Sequence, residues 1–256
     1  MRSPLEKQET YDLSLLDQSL QKWLSSSGLR NVYQDIFKQL IQNAEGSRWL
    51  ELGSGAGFFK QFDNRVVTSD IRKTSYVDQA VSAYEIHKRA DKWDAIFAMD
   101  MLHHLTRPFD FFASAAQALA PSGRIILAEP CGTSLGRRFY KIFHQEPCEP
   151  ALLQPPFEFE IDENGEFANM GMSESLFNRH ARFTQDKLAQ IGLAPKKAIY
   201  RDLLAYPLTG GLSKPQMLPT FAINALLAME KWIPQSILKH LALRSIIVIE
   251  KQSSKT

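Results

Sequence analysis

The stretch Trp49-Leu50-Glu51-Leu52-Gly53-Ser54-Gly55-Ala56-Gly57-Phe58 decides how this chain of 256 residues folds. A short apolar run, read as a buried strand, carries one carboxylate at Glu51 and gives way to three glycines at alternate positions. Glycine lets the backbone turn sharply after a strand and lets a ligand approach where a Cβ would block it. Such a turn cradles a nucleotide-like ligand. The dinucleotide fingerprint Gly-x-Gly-x-x-Gly needs its last glycine at position 58, where Phe58 stands, so the pyrophosphate reading is weakened.

Outward from this stretch the pattern is that of an α/β domain. Leu13 to Leu24 and Val32 to Ile41 carry apolar residues at helical spacing, with Ser25 to Gly28 as a break, so two helices precede the glycines. Short apolar runs then alternate with helical stretches, as in a parallel sheet with crossover helices. Strands are expected at Arg48 to Leu52, Arg65 to Ser69, Tyr76 to Ala80, Ala95 to Met99, Arg124 to Ala128, Lys197 to Arg201 and Ser245 to Glu250. Pro108 opens a helix over Phe109 to Leu119, and Pro121-Ser122-Gly123 closes it. A later helix, Gln185 to Ile191, reads as capped by Thr184 and ended by Gly192. The alternation lapses from Cys131 to Arg182, an aromatic-rich insertion holding Phe139, Tyr140, Phe143, Phe157, Phe159 and Phe167. It lapses again over 205–243. The expected parts are therefore helices over 1–45, a ligand-binding core over 46–130, a lid over 131–182, the rest of the sheet over 183–251, and a disordered tail at 252–256.

In an open parallel sheet ligands bind at the carboxyl ends of the strands, where strand order reverses. Two acids stand at such ends: Glu51, and Asp70, seventeen positions beyond Gly53. A carboxylate at Asp70 is placed to receive a pair of hydroxyls, at roughly 1.5–3 kcal/mol for each charged hydrogen bond. Asp100 reads as the cap of the following helix. His103 and His104 follow the fourth strand, and Glu129 closes the fifth, where it can orient a histidine or accept a proton itself. His144, in the insertion, is a second candidate base. Tyr33 and Arg30 are candidates to cover the ligand, and Thr209-Gly210-Gly211 is either a backbone approach to substrate or a plain turn.

The run Glu51 to Gly57, taken with Asp94-Ala95-Ile96-Phe97-Ala98-Met99-Asp100-Met101-Leu102-His103-His104-Leu105, resembles the first and fourth motifs of class I S-adenosylmethionine-dependent methyltransferases, and their type-11 small-molecule group in particular. The resemblance spans about Trp49 to Pro130. It implies a Rossmann-like, seven-stranded, mostly parallel sheet with helices on both faces, a lid after the fifth strand and a second insertion before the last. It implies S-adenosylmethionine as cofactor, held by Glu51, Gly53, Ser54, Gly55 and Gly57 at the turn, by Asp70 and Ile71 at the second strand, by Ser82 and Ala83 after the third, and by Ala98 and Met99 on the fourth. His103, His104 and Glu129 are then the catalytic candidates, with no metal required. The sequence departs from the family at Ser82-Ala83-Tyr84, where an acid commonly receives the adenine amine. An Asn-Pro-Pro-Tyr or Asp-Pro-Pro-Tyr motif is absent, since Met99-Asp100-Met101-Leu102 occupies its place. That disfavours amino groups of nucleic acid or protein and favours a small-molecule, sugar or lipid-like acceptor, methylated at oxygen or carbon.

Composition sets the remaining bounds. With 44% hydrophobic and 23% charged residues the chain reads as an ordinary globular protein. Thirty basic against twenty-eight acidic side chains leave +2, too little to imply a nucleic-acid partner. The first residues lack the apolar stretch of a secretory signal, and Leu218 to Met229 is too short to span a bilayer, so a cytoplasmic protein with at most peripheral membrane contact is expected. Cys131 and Cys148 lack metal-ligand spacing and read as thiols. Two other functions remain open at this point: a binding module that keeps the cofactor pocket without catalysis, and a nicotinamide oxidoreductase, which Phe58 disfavours.

Overall fold

The computed structural model describes residues 4–162 and 165–252, with side chains from residue 14 onward. Two helices, α1 (Pro4–Ser25) and α2 (Ser27–Gln42), come first. Only Ser26 separates them, so the break is narrower than Ser25 to Gly28: its hydroxyl accepts the Leu29 N–H and caps α2. The chain then runs through β1 (Trp49–Leu52), α3 (Phe58–Phe62), β2 (Val66–Asp70), β3 (Gln79–Ala80), β4 (Trp93–Met99), α4 (Pro108–Ala118) and β5 (Leu119–Pro130). The first insertion holds α5 (Ser134–Phe143), α6 (Met172–Glu174) and a π turn at Ser175–Arg179. Next come α7 (Ala181–Gln190), β6 (Leu193–Arg201), α8 (Ala205–Leu208), α9 (Thr220–Glu230), α10 (Gln235–Leu241) and β7 (Arg244–Lys251).

The seven strands form one sheet in the order β3-β2-β1-β4-β5-β7-β6. Pairings from β3 across to β5 are parallel, and β7 runs antiparallel to both β5 and β6. The sheet is thus mixed at its late edge. Side chains alternate between two cores, as the period of two requires. Leu50, Leu52, Ile96, Ile125 and Leu127 join Phe111, Phe112 and Ala115 of α4 on one face. Trp49, Ala95, Phe97, Ile126 and Ala128 join Val32, Ile36 and Phe37 of α2 and Phe59 of α3 on the other. Burial of both faces explains why these strands read as nearly continuous apolar runs.

Several boundaries depart from the sequence expectation for local reasons. Tyr76 to Asp78 does not join β3, because the Asp78 carboxylate accepts the Thr68 N–H (2.8 Å) and hydroxyl (3.0 Å) in place of strand pairing. Pro121-Ser122-Gly123 is a bulge within β5, not a loop before it: pairing jumps from Trp93↔Leu119 to Ala95↔Arg124, with Ser122 at φ 59°. Strand β6 starts four residues early and absorbs Pro195 at a register shift. Thr184 is not a cap. It is buried within α7, its N–H bonded to the His180 carbonyl, because the π turn feeds directly into the helix. Gly192 does end that helix, at φ 73°.

The insertions serve the main cores. Phe157 is buried against the α4 face, where Phe159 and Phe167 stack with centroids 4.8 Å apart, while Phe143 is exposed. A small separate cluster gathers Tyr140, Cys148, Met170 and Leu243. Both cysteines are free thiols. Helix α9 packs on α2 through Ser27–Thr220 (2.6 Å) and Asn31–Asn224 (2.9 Å) hydrogen bonds. Of the expected disordered tail only Gln252 lies among the described residues, its N–H bonded to the Gly192 carbonyl.

Candidate active site

Strand order reverses between β1 and β4, so the switch point lies where Glu51, the glycine turn and Met99-Asp100 come together. Gly53, Gly55 and Gly57 all lie in the left-handed region, at φ 66°, 50° and 69°. A Cβ on Gly57 would stand 2.7 Å from the Tyr76 carbonyl oxygen, whereas one on Gly55 would meet only Leu16, at 3.5 Å. Gly57 is therefore fixed by its own fold, and Gly55 faces space bounded by α1. The turn is tied down by polar bonds. Ser54 N–H donates to the Ser69 carbonyl (2.9 Å), the Ser69 hydroxyl to the Glu51 carbonyl (2.7 Å), and Gly55 N–H to Asp70 Oδ2 (3.1 Å). Trp23 of α1 stacks on Phe58 at 4.4 Å, and Asp17 accepts the Tyr76 hydroxyl, so α1 borders the turn.

Glu51 is buried, and its Oε2 has no hydrogen-bond partner. Burial, opposed by a Ser54 hydrogen bond and reinforced by Asp70, raises its pKa to about 7. Asp70 spends one oxygen on Gly55 N–H and the other on Ile71 N–H (2.8 Å), which leaves lone pairs on both. The Ile71 side chain is 72% exposed beside it, an apolar flank open to a flat ligand. Ser82 makes a local turn, its hydroxyl accepting the Tyr84 N–H (3.3 Å), and Ala83 packs toward the core. The Ala98 methyl is enclosed in the core, which leaves Met99 as the partly open residue at the carboxyl end of that strand.

On the acceptor side, Glu129 is fully buried. Its Oε1 accepts the N–H groups of Met101 (2.9 Å) and Leu102 (2.8 Å), and its Oε2 lies 2.7 Å from His103 Nδ1. Burial alone would depress the His103 pKa, yet Glu129, and with it Glu146, raise it to about 10. His104 is the open ring of the pair, its centroid 4.2 Å from that of His103, and its pKa is lowered by local desolvation and by His103. Glu146 reaches in from the insertion, Oε2 standing 3.4 Å from His103 Nε2. Burial would raise its pKa, and the proximity and charge of His103 outweigh this and lower it.

Other expectations are corrected. His144 is exposed and only accepts the Glu146 N–H, so the insertion contributes Glu146 instead. Asp100 caps no helix: at φ 52° it pairs with Arg244, which also contacts Asp202. Arg30 donates to the Trp23 and Leu24 carbonyls (2.5 and 2.6 Å) and joins α1 to α2, while Tyr33 is buried, its ring 6.3 Å from Tyr206. Thr209-Gly210-Gly211 is a plain turn, since a Cβ on Gly210 would lie 2.3 Å from the Lys214 carbonyl oxygen. Arg244 and Glu146 were missed because their partners lie far along the chain, 144 positions away for Arg244 and Asp100. A cavity of about 240 Å³ beside Asp35, Arg201 and Glu230 shares no residue with this site.

A family model described as a methyltransferase domain matches residues 18–191, more than half of the chain. The chain belongs to the methyltransferase-domain family. Among solved structures, an S-adenosylmethionine-dependent methyltransferase from Archaeoglobus fulgidus is 14% identical at a TM-score of 0.52, covering 87% of this chain and 94% of that one. One from Mesorhizobium loti is 14% identical at 0.47, covering 85% and 96%. The N-methyltransferase NodS from Bradyrhizobium japonicum, in complex with S-adenosylhomocysteine, is 11% identical at 0.42, covering 86% and 87%. No curated protein matches the chain. This methyltransferase has the class I architecture, and its cofactor is S-adenosylmethionine. Glu51 supplies a test of fit: a buried acid with a partnerless oxygen at the glycine turn suits a ligand that brings an ammonium.

Proposed function

We propose that this methyltransferase acts on a small-molecule, sugar or lipid-like acceptor at oxygen or carbon, and that the residues above divide into a cofactor half and an acceptor half. When bound, S-adenosylmethionine supplies an electrophilic methyl group, whose bond to sulfur breaks with the electron pair returning to sulfur. Glu51 receives the ammonium and Asp70 the ribose hydroxyls. The amides of Gly53, Ser54, Gly55 and Gly57 line the turn, Ile71 flanks the adenine, and Ser82 and Ala83 offer a hydroxyl and backbone groups to its edge. Met99 would line the cofactor at the end of β4, backed by Ala98 from within the core. The unpartnered Glu51 oxygen carries this reading.

In the acceptor half, the cluster of His103, His104 and Glu129 disposes of the acceptor's proton. Glu129 fixes the His103 ring through Nδ1, while His104 is the ring an incoming acceptor meets first. In-line displacement draws much of its rate from alignment, so a rigid strand-end frame suits it. The exposed apolar stripe Phe221, Met229 and Trp232 along and just beyond α9 supports a lipid-like acceptor met at a membrane surface. Turnover of radiolabelled S-adenosylmethionine on a panel of hydroxylated lipids, sugars and quinols tests the reading. His104→Ala should lower turnover at least tenfold with cofactor affinity nearly unchanged. Full activity in that variant removes His104 from the reaction.

A further inference from the structure

We propose that His103, His104 and Glu146 form a binding site for one divalent transition-metal ion. Their candidate ligand atoms all lie within 4.8 Å of one another. One pair, His103 Nε2 and Glu146 Oε2, is 3.4 Å apart. Two ligands about 2.0–2.1 Å from a tetrahedral ion stand roughly 3.4 Å from each other, so this edge already has the required length.

Hydrogen bonding fixes the polarity of that edge. His103 Nδ1 faces Glu129 Oε2 at 2.7 Å and donates to it, so in the neutral ring Nε2 carries a lone pair. Opposite it, Glu146 Oε2 is enclosed and has no hydrogen-bond partner. With that ring neutral, two acceptors would face each other there, and a positive centre between them satisfies both. Either a proton held on His103 or a metal ion fills that role. His104 tips the choice, because a second imidazole beside the first gains nothing from a proton already shared but adds a ligand to an ion.

The surroundings are those of a ligand set, not of a chance contact. Glu129 is anchored by two backbone N–H groups and holds the His103 ring by its far nitrogen, the outer carboxylate that orients metal-bound imidazoles and raises their basicity. Two imidazoles and a carboxylate prefer zinc, cobalt, nickel, iron or manganese over calcium and magnesium, and three protein ligands leave positions open. The site also adjoins the cofactor half. Met101, two residues before His103, packs against the turn so closely that a Cβ on Gly53 would stand 2.9 Å from its Cγ. An ion here would take an acceptor's hydroxyl oxygen in an open position and favour loss of its proton to solvent, with His103 as ligand. That consequence rests on the methyl-transfer reading, whereas the metal binding does not.

The test uses the full-length protein, stripped with chelator and titrated with Zn²⁺ and Co²⁺ without cofactor. Calorimetry and the visible Co²⁺ spectrum should report one ion per chain. His104→Ala and Glu146→Gln, both at partly open side chains, should each weaken binding at least tenfold while keeping the wild-type melting curve. Glu129→Gln should weaken it by about 10–100-fold, and His240→Ala should leave it unchanged. No stoichiometric uptake by the wild type, or uptake that survives in both His104→Ala and Glu146→Gln, overturns the site and assigns the position to a proton. Neither result bears on S-adenosylmethionine binding, which is measured separately.

Discussion

Glu51 places a carboxyl group where water does not reach, and burial, with Asp70 nearby, lifts its pKa to about 7 from an ordinary 4.5. In the folded protein without cofactor this acid holds its proton more tightly than in the unfolded chain. Its contribution to stability is therefore full below about pH 4.5 and is lost as pH rises through about 7, a change of about 3 kcal/mol. Glu51→Gln should remove that slope from thermal melts taken between about pH 5 and pH 8; an unchanged slope would place the titration elsewhere. Cofactor affinity should move the opposite way, rising as pH passes about 7, because the ammonium prefers the ionised acid. At this scale the residues that sequence disclosed were those whose type and spacing carry chemistry by themselves: the glycines, Glu51, Asp70, and the His103–Glu129 pair across two strand ends. Glu146 escaped because nothing in its neighbourhood along the chain points to His103, and His144, two positions away, looked the better chemist.

Strands and helices were legible where burial dictates pattern. The runs in β1, β4 and β5 are apolar because both faces are covered, and Phe97 shows the consequence: it is 1% exposed and packs edge-on to Trp49 (5.8 Å) and Phe59 (5.0 Å). Phe97→Ala should cost about 3–5 kcal/mol in denaturant unfolding, and a cost under about 1 kcal/mol would contradict the packing of α2 and α3 on that face. Element ends were less legible, for physical reasons that differ from site to site. Asp78 replaces backbone pairing with side-chain hydrogen bonds, Pro121-Ser122-Gly123 bulges out of a strand that continues, and the π turn before α7 removes the need for a cap at Thr184. None of these changes the hydrophobic period, so none leaves a mark in it. The antiparallel β7 is of the same kind, since apolar alternation does not record direction.

Over the whole molecule, the family and the seven-stranded, mostly parallel sheet follow from motifs in a third of the chain, while the strand order and the packing of the insertions follow only from tertiary contact. Among the described residues no helix is long and apolar enough to cross a membrane. Segment 205–243 nevertheless leaves Phe221 77%, Met229 66% and Trp232 88% exposed, a stripe on the outer side of a helix whose inner side packs on α2. Its single acid, Glu230, is occupied by the N–H groups of Leu203, Leu204 and Ala205, while Lys214 and Lys239 lie along the same segment and Lys231 pairs with Asp35. An apolar stripe with a tryptophan among lysines suits an anionic lipid surface. Vesicles containing phosphatidylglycerol should therefore pull the protein down in sedimentation and shift tryptophan emission to the blue, and Phe221→Ser with Trp232→Ser should abolish both. Equal sedimentation by the double variant would assign the stripe another use.

The central claim is that the glycine turn, Glu51 and Asp70 hold S-adenosylmethionine. Isothermal titration of the purified chain with S-adenosylmethionine and with its demethylated product tests it most directly. The account predicts saturable binding of both at one per chain, weakened by more than tenfold, about 1.4 kcal/mol, in Asp70→Ala. Absence of binding at millimolar ligand, or an Asp70→Ala variant that binds as the wild type does, would contradict it.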